Sequence, residues 1–139
     1  MALWQFSLFL LPIWAVQSPN GSLPLTLTTD VDDVQWPEPT LDVRNIAGAF
    51  DDLLPRHAGW SEHQTAWGTP DESCIDLWKE PGESPFIEVR LDLRTLQRVF
   101  VERLVHTVAR FDMIFVDSQP RVIAANVPEV GRAISESDA

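Results

Sequence analysis

Residues 87–94, Ile-Glu-Val-Arg-Leu-Asp-Leu-Arg, alternate apolar and charged side chains along their whole length. Only an extended strand with one buried face and one wet face satisfies that pattern. A slip of one residue would drive Arg90 and Asp92 into a core, so the register is fixed as well. The strand has a natural partner in residues 74–79, Cys-Ile-Asp-Leu-Trp-Lys, joined to it through Glu80-Pro-Gly-Glu-Ser-Pro85. The two read as an antiparallel hairpin. Residues 95–110 follow as the clearest helix. Leu96, Phe100, Leu104 and Val108 form its apolar row, and Arg98, Glu102, His106 and Arg110 form a polar one. Residues 112–117 and 121–125 read as two further short strands. Asn126 then caps a last helix, with Pro128 early in it and Glu129 at the capping-box position.

The first half is less regular. In residues 3–11, Trp4, Phe6, Leu8 and Leu10 recur at period two, which predicts a strand that Pro12 ends. The segment lacks a basic start, and Gln5, Ser7 and Pro12 interrupt it, so it is expected to stay in the folded chain rather than act as a secretion signal. It is also too short to span a membrane. Residues 23–29 alternate Leu23, Leu25 and Leu27 with Pro and Thr, which predicts a second strand paired to the first. Residues 43–54 carry Ile46, Ala49, Phe50, Leu53 and Leu54 at helical spacing, closed by Pro55. Residues 55–73 read as a long irregular loop. The 139-residue chain, residues 1–139, is thus predicted as a single α+β domain: a mainly antiparallel sheet with helices packed on one face.

Charge narrows the choice of partners. The net charge is −11, and it is clustered. Residues 30–52 hold seven acids against Arg44, and residues 71–88 hold six against Lys79. Such a field attracts a basic partner and repels nucleic acid and anionic membranes. Large rings lie among these acids. Trp36 sits between Asp33 and Glu38, and Trp60 and Trp67 flank His63. An aromatic anchor beside steering carboxylates suits a basic protein surface. Asp32, Asp33, Trp36, Trp60 and Asp71 are therefore the expected partner-binding residues. Trp4 and Trp78, in predicted strands, are expected in the core.

Catalytic signatures are missing from the sequence. No phosphate loop, dinucleotide fingerprint or nucleophile elbow is present. Cys74 is the single cysteine, which excludes an intrachain disulfide and a multi-cysteine zinc site and suits a reducing compartment. Its place in a strand points to a small buried hydrophobe. Asp30-x-Asp32-Asp33 lacks the glycine and the final glutamate of a calcium loop. No metal and no cofactor is expected.

The run Cys74-Ile-Asp-Leu-Trp78, the turn, Ile87-Glu-Val-Arg-Leu-Asp-Leu-Arg94 and the long helix resemble the hairpin-plus-helix of small acidic bacterial proteins, several of them similar to immunity proteins of toxin–immunity pairs. Leu3-Trp-Gln-Phe-Ser7 and Val122-Ile-Ala-Ala-Asn-Val-Pro-Glu129 extend the likeness to about two-thirds of the chain. The resemblance rests on structural alternation rather than on catalytic motifs. It implies a cytoplasmic, non-catalytic binder whose partner is a cognate toxin. Two other classes stay open. One is a small hydrolase or metal-dependent enzyme using His63 with Asp71 or Glu72. The other is an adaptor.

Overall fold

The computed structural model describes residues 4–36, 43–57, 59 and 61–137. Seven strands form one sheet: β1 (Gln5–Pro12), β2 (Arg56–His57), β3 (Gln64–Gly68), β4 (Cys74–Trp78), β5 (Phe86–Asp92), β6 (Met113–Asp117) and β7 (Val122–Ile123). Their spatial order is β2-β3-β4-β5-β1-β6-β7, and every neighbouring pair is antiparallel. Among the described residues four α-helices accompany the sheet: α1 (Ile13–Val16), α2 (Val43–Asp51), α3 (Arg98–Arg110) and α4 (Val127–Ser137). The α+β class follows, with α2, α3 and α4 on one face.

The predicted hairpin is β4–β5, with Cys74 opposite Arg90 and Trp78 opposite Phe86. β1 inserts between β5 and β6, beside the central strand β5. From β4 through β5 and β1 to β6, one phase of the strands is dry. Phe6, Leu8, Leu10, Ile75, Leu77, Ile87, Val89, Leu91 and Phe115 are all buried there. Leu104 and Val108 of α3 and Val130 and Ala133 of α4 belong to the same core. Phe50 of α2 meets Trp67 of β3 edge to face, with ring centres 5.2 Å apart. The opposite phase carries Asp76, Trp78, Phe86, Glu88 and Arg90, and is partly covered by residues 13–36.

Helix ends obey local chemistry. The Glu129 N–H donates to Asn126 Oδ1 at 2.9 Å, the expected cap of α4. α3 starts at Arg98, three residues later than the pattern predicts, and Asp112, at φ 55°, turns the chain out of it into β6. Gly68 ends β3 at φ +75°, and a Cβ there would collide with the Ser73 carbonyl and approach Cys74.

Two predicted elements differ. Residues 23–29 form no strand: a single bridge joins Thr26 to Arg121, and Leu25 is 87% exposed. Both edges of β1 are already occupied by β5 and β6, so no ladder remains for a second N-terminal strand. Residues 55–73 are not irregular throughout, since β2 and β3 lie within them. Their Thr65 and Trp67 face the core side, while Gln64 and Ala66 are buried on the other. A strand buried on both faces loses the polar–apolar alternation by which it would be recognised.

Two buried carboxylates pin turns. Asp92, 1% exposed, accepts from the Arg94 backbone N–H and Nε, both at 3.0 Å, and from the Thr95 hydroxyl at 3.2 Å. Asp117, 2% exposed, accepts from the Gln119 and Arg121 amides and from Arg121 Nε at 2.7 Å. The Arg94 hydrogen bond first, and then the other donors, hold the Asp92 carboxyl below its ordinary value of 3.8. A folded-state value below the unfolded one means that the unfolded chain binds more protons in acid. Asp92 therefore adds stability above about pH 4 that is lost as pH falls through its lower folded value. Asp92→Asn is expected to lower the neutral-pH melting temperature and to flatten the acid limb of the stability curve, read by thermal melts between about pH 2 and 7.

Candidate functional site

Part of each acidic segment, 30–33 and 80–83, meets the other at the Trp78 end of β4. Asp30 precedes a single 3₁₀ turn, Val31–Asp33, laid against the β4–β5 hairpin. Asp32 shares a groove of about 340 Å³ with Trp78, Glu80, Glu83, Ser84 and Phe86. A second hollow continues it across Asp30, Asp32, Phe86 and Phe9. The floor is aromatic: Trp78 stands opposite Phe86 in the ladder, and the Phe86 ring lies 5.6 Å from that of Phe9. All three rings are half-buried. They share the sheet face with Asp76, Glu88 and Arg90, so the wet phase of the hairpin is what lines the groove.

The rim is acidic and unneutralised. The carboxylate oxygens of Asp30, Asp32 and Asp33 lie within 4.8 Å of one another, and all three residues are exposed. Among the described residues, no ion pair engages these three, Glu80 or Glu83. Lys79, the cation of the hairpin turn, points its Nζ at the backbone carbonyls of Glu80 (2.9 Å) and Glu83. Crowded like charges are mutually unfavourable, and an approaching cation relieves that cost.

Elsewhere on this face Arg90 is paired with Asp76, while Glu88 engages no ion pair among the described residues. Arg90 Nη2 lies 3.2 Å from Asp76 Oδ2, and Gln64 Nε2 donates to Asp76 Oδ1 at 2.8 Å. Cys74, opposite Arg90, is buried, and burial pushes its thiol up. A thiol held protonated is a poor nucleophile.

The sequence-predicted site residues divide. Asp32 lines the groove, and Asp33, whose carboxylate lies within 4.8 Å of that of Asp32, lines a neighbouring hollow with Thr28, Val34 and Gln35. Trp36 is near it in sequence, and its backbone N–H donates to Ser84 Oγ at 3.0 Å. But its side chain is only 5% exposed and belongs to the core, so its ring offers no surface anchor. Trp60 lies outside the described residues. Asp71 sits in the β3–β4 turn, where its carbonyl accepts from Arg94, at the Cys74 end of the hairpin. Asp32 is at the Trp78 end. The five residues of β4 separate them by roughly 16 Å. Of the expected surface, 30–38 with part of 60–72, Asp71 thus stands at the opposite end of β4 from Asp32, whereas His63 and Gln64 lie at the Trp78 end with it.

The enzyme constellation splits in the same way. His63 directly precedes β3, and its carbonyl accepts from the Lys79 amide at 2.9 Å. Asp71 and Glu72 follow the far end of β3. The carboxylate beside His63 is instead Glu62, at 3.5 Å and largely exposed. Trp78, expected in the core, faces the groove. The sequence signal for this is Asp76, two residues earlier and on the same strand face.

No family model, no curated protein and no solved structure matches the chain.

Proposed function

We propose that this protein is a non-catalytic binding protein of the immunity type, which neutralises a basic protein partner, a bacterial toxin, at its acidic end in the cytoplasm. The observation that carries this reading is the groove: Asp30, Asp32, Glu80 and Glu83, without an ion-pair partner among the described residues, around three half-buried rings, with the Asp33 carboxylate within 4.8 Å of those of Asp30 and Asp32. Carboxylates steer and orient a cationic surface, while desolvated rings supply the anchoring contact. Among the described residues no helix is long and apolar enough to cross a membrane. The same negative field disfavours nucleic acid as a ligand.

The binding surface on this reading is Asp32 and Asp33 with Glu80 and Glu83, and Trp78 takes the anchor role that the sequence pattern suggests for Trp36. The test is capture of the partner from the native cell, followed by binary binding and activity assays with both proteins purified. A basic protein whose toxic activity disappears at equimolar ratio is the expected result. Substrate turnover by this chain that stops on His63→Ala would overturn the non-catalytic reading.

A further inference from the structure

We propose that the groove is a receptor for an arginine side chain, which stacks on Trp78 and Phe86 and is held by Asp32 and Glu83. The proposal rests on the docking reading above and names the group the partner presents.

The protein itself supplies the pattern. Twice, it closes a tryptophan and an aspartate with an arginine. Arg94 lies over Trp4 at 3.6 Å from the ring centre, with its Nε 3.0 Å from Asp92. Arg56 lies over Trp67 at 5.3 Å, with its Nε 2.9 Å from Asp51, and Asp51 also accepts from the Trp67 indole at 2.8 Å. The groove repeats two of the three parts: Trp78 with Phe86 for the ring, Asp32 with Glu83 for the carboxylate. Among the described residues the cation–ring stacks are those two and Arg110 on Phe111, and none uses Trp78 or Phe86. Lys79, the nearest cation in sequence, is held by carbonyls across its own turn. The groove thus brings rings and carboxylates to one lining with no described cation stacked on the rings.

Arginine fits this site better than lysine for three reasons. Its planar head stacks on ring faces, whereas an ammonium is a compact point charge. It is more weakly hydrated, so it loses less on entering an aromatic floor. Its five donors can serve carboxylates on both walls, Asp32 from the 3₁₀ turn and Glu83 from the hairpin.

The test uses the full chain labelled with ¹⁵N and three probes: acetyl-Gly-Arg-Gly-amide, its lysine counterpart and its citrulline counterpart. Citrulline keeps the shape of arginine and removes the charge. Trp78→Phe assigns the Trp78 indole N–H among the six tryptophans. The arginine peptide is expected to shift the Trp78 indole and the Ser84 and Phe86 amides, lysine to bind more weakly, and citrulline to leave them in place. Asp32→Asn with Glu83→Gln is expected to weaken arginine-peptide binding by about five-fold or more. An unmoved Trp78 indole, or an equal response to citrulline, would overturn the assignment. If charge changes at Asp32 slow the captured partner while the arginine peptide leaves Trp78 unmoved, the arginine receptor fails and the docking surface stands. If the peptide binds at Trp78 but neither it nor those changes affect the partner, the receptor stands and the docking surface fails.

Discussion

Leu104→Ala is expected to lower the unfolding free energy by about 2–5 kcal/mol. Leu104 is fully buried, in the middle of α3, among the core side chains that α3 shares with the sheet. The substitution removes three carbon atoms from a close-packed layer. Its cost is the lost burial plus the void left behind, because neighbouring strands cannot collapse into the gap. A domain of this size has about 5–15 kcal/mol in total, so the variant sits close to the edge of folding at ordinary temperature. Urea melts provide the measurement, with the midpoint moving and the slope unchanged. Val99→Ala on the same helix is the control. Val99 is 57% exposed, and its loss is expected to stay within about 0.5 kcal/mol. A loss below about 1 kcal/mol at Leu104 would mean that another face of α3 meets the sheet.

That helix face is legible in the amino-acid order alone, and so is the hairpin beneath it. Both carry strong periodicity, although Thr107 of α3 and Asp92 at the end of β5 are buried against it. β1 is legible for the same reason, and α4 through its Asn126 cap. The elements that periodicity misses are those whose state depends on distant neighbours. Whether residues 23–29 pair with β1 is decided by β5 and β6, which occupy both of its edges. Gln64 disguises β3 because its polarity is satisfied by Asp76, twelve positions away. The tryptophans show the same limit. Trp36 sits among acids and prolines yet packs into the core, while Trp78 sits in an apolar strand yet faces the groove. In β4, Cys74 and Trp78 share a phase with Asp76, and Ile75 and Leu77 take the other. Both phases are rich in apolar atoms, so only the single aspartate marks the wet one. The groove is not legible as a unit, because Asp32 and Glu83 are brought together by the fold and not by spacing.

Charge reversal at the groove is expected to slow partner association by about ten-fold or more at low salt, with dissociation changing much less. The variant is Asp32→Lys with Asp33→Lys. Both carboxylates are exposed and engage no ion pair among the described residues, so their removal breaks no internal contact that the fold needs. Long-range attraction acts before contact, on the encounter, and this is why the effect falls on the on-rate. Raising salt should slow the wild-type protein toward the variant, since the screening length shortens to about 8 Å at 0.15 M. Trp78→Ala should behave in the opposite manner. The ring contributes only after docking, so its loss should raise the off-rate, by an amount worth about 2 kcal/mol if it is an anchor. Asp71→Lys separates a local docking site from the general pull of a chain at −11. Asp71 lies roughly 16 Å away along β4, about two screening lengths at physiological salt. At 0.15 M it should leave association nearly unchanged while the Asp32 and Asp33 reversal still slows it. Equal slowing by both variants would mean that net charge alone draws the partner in and that the groove is not where it lands.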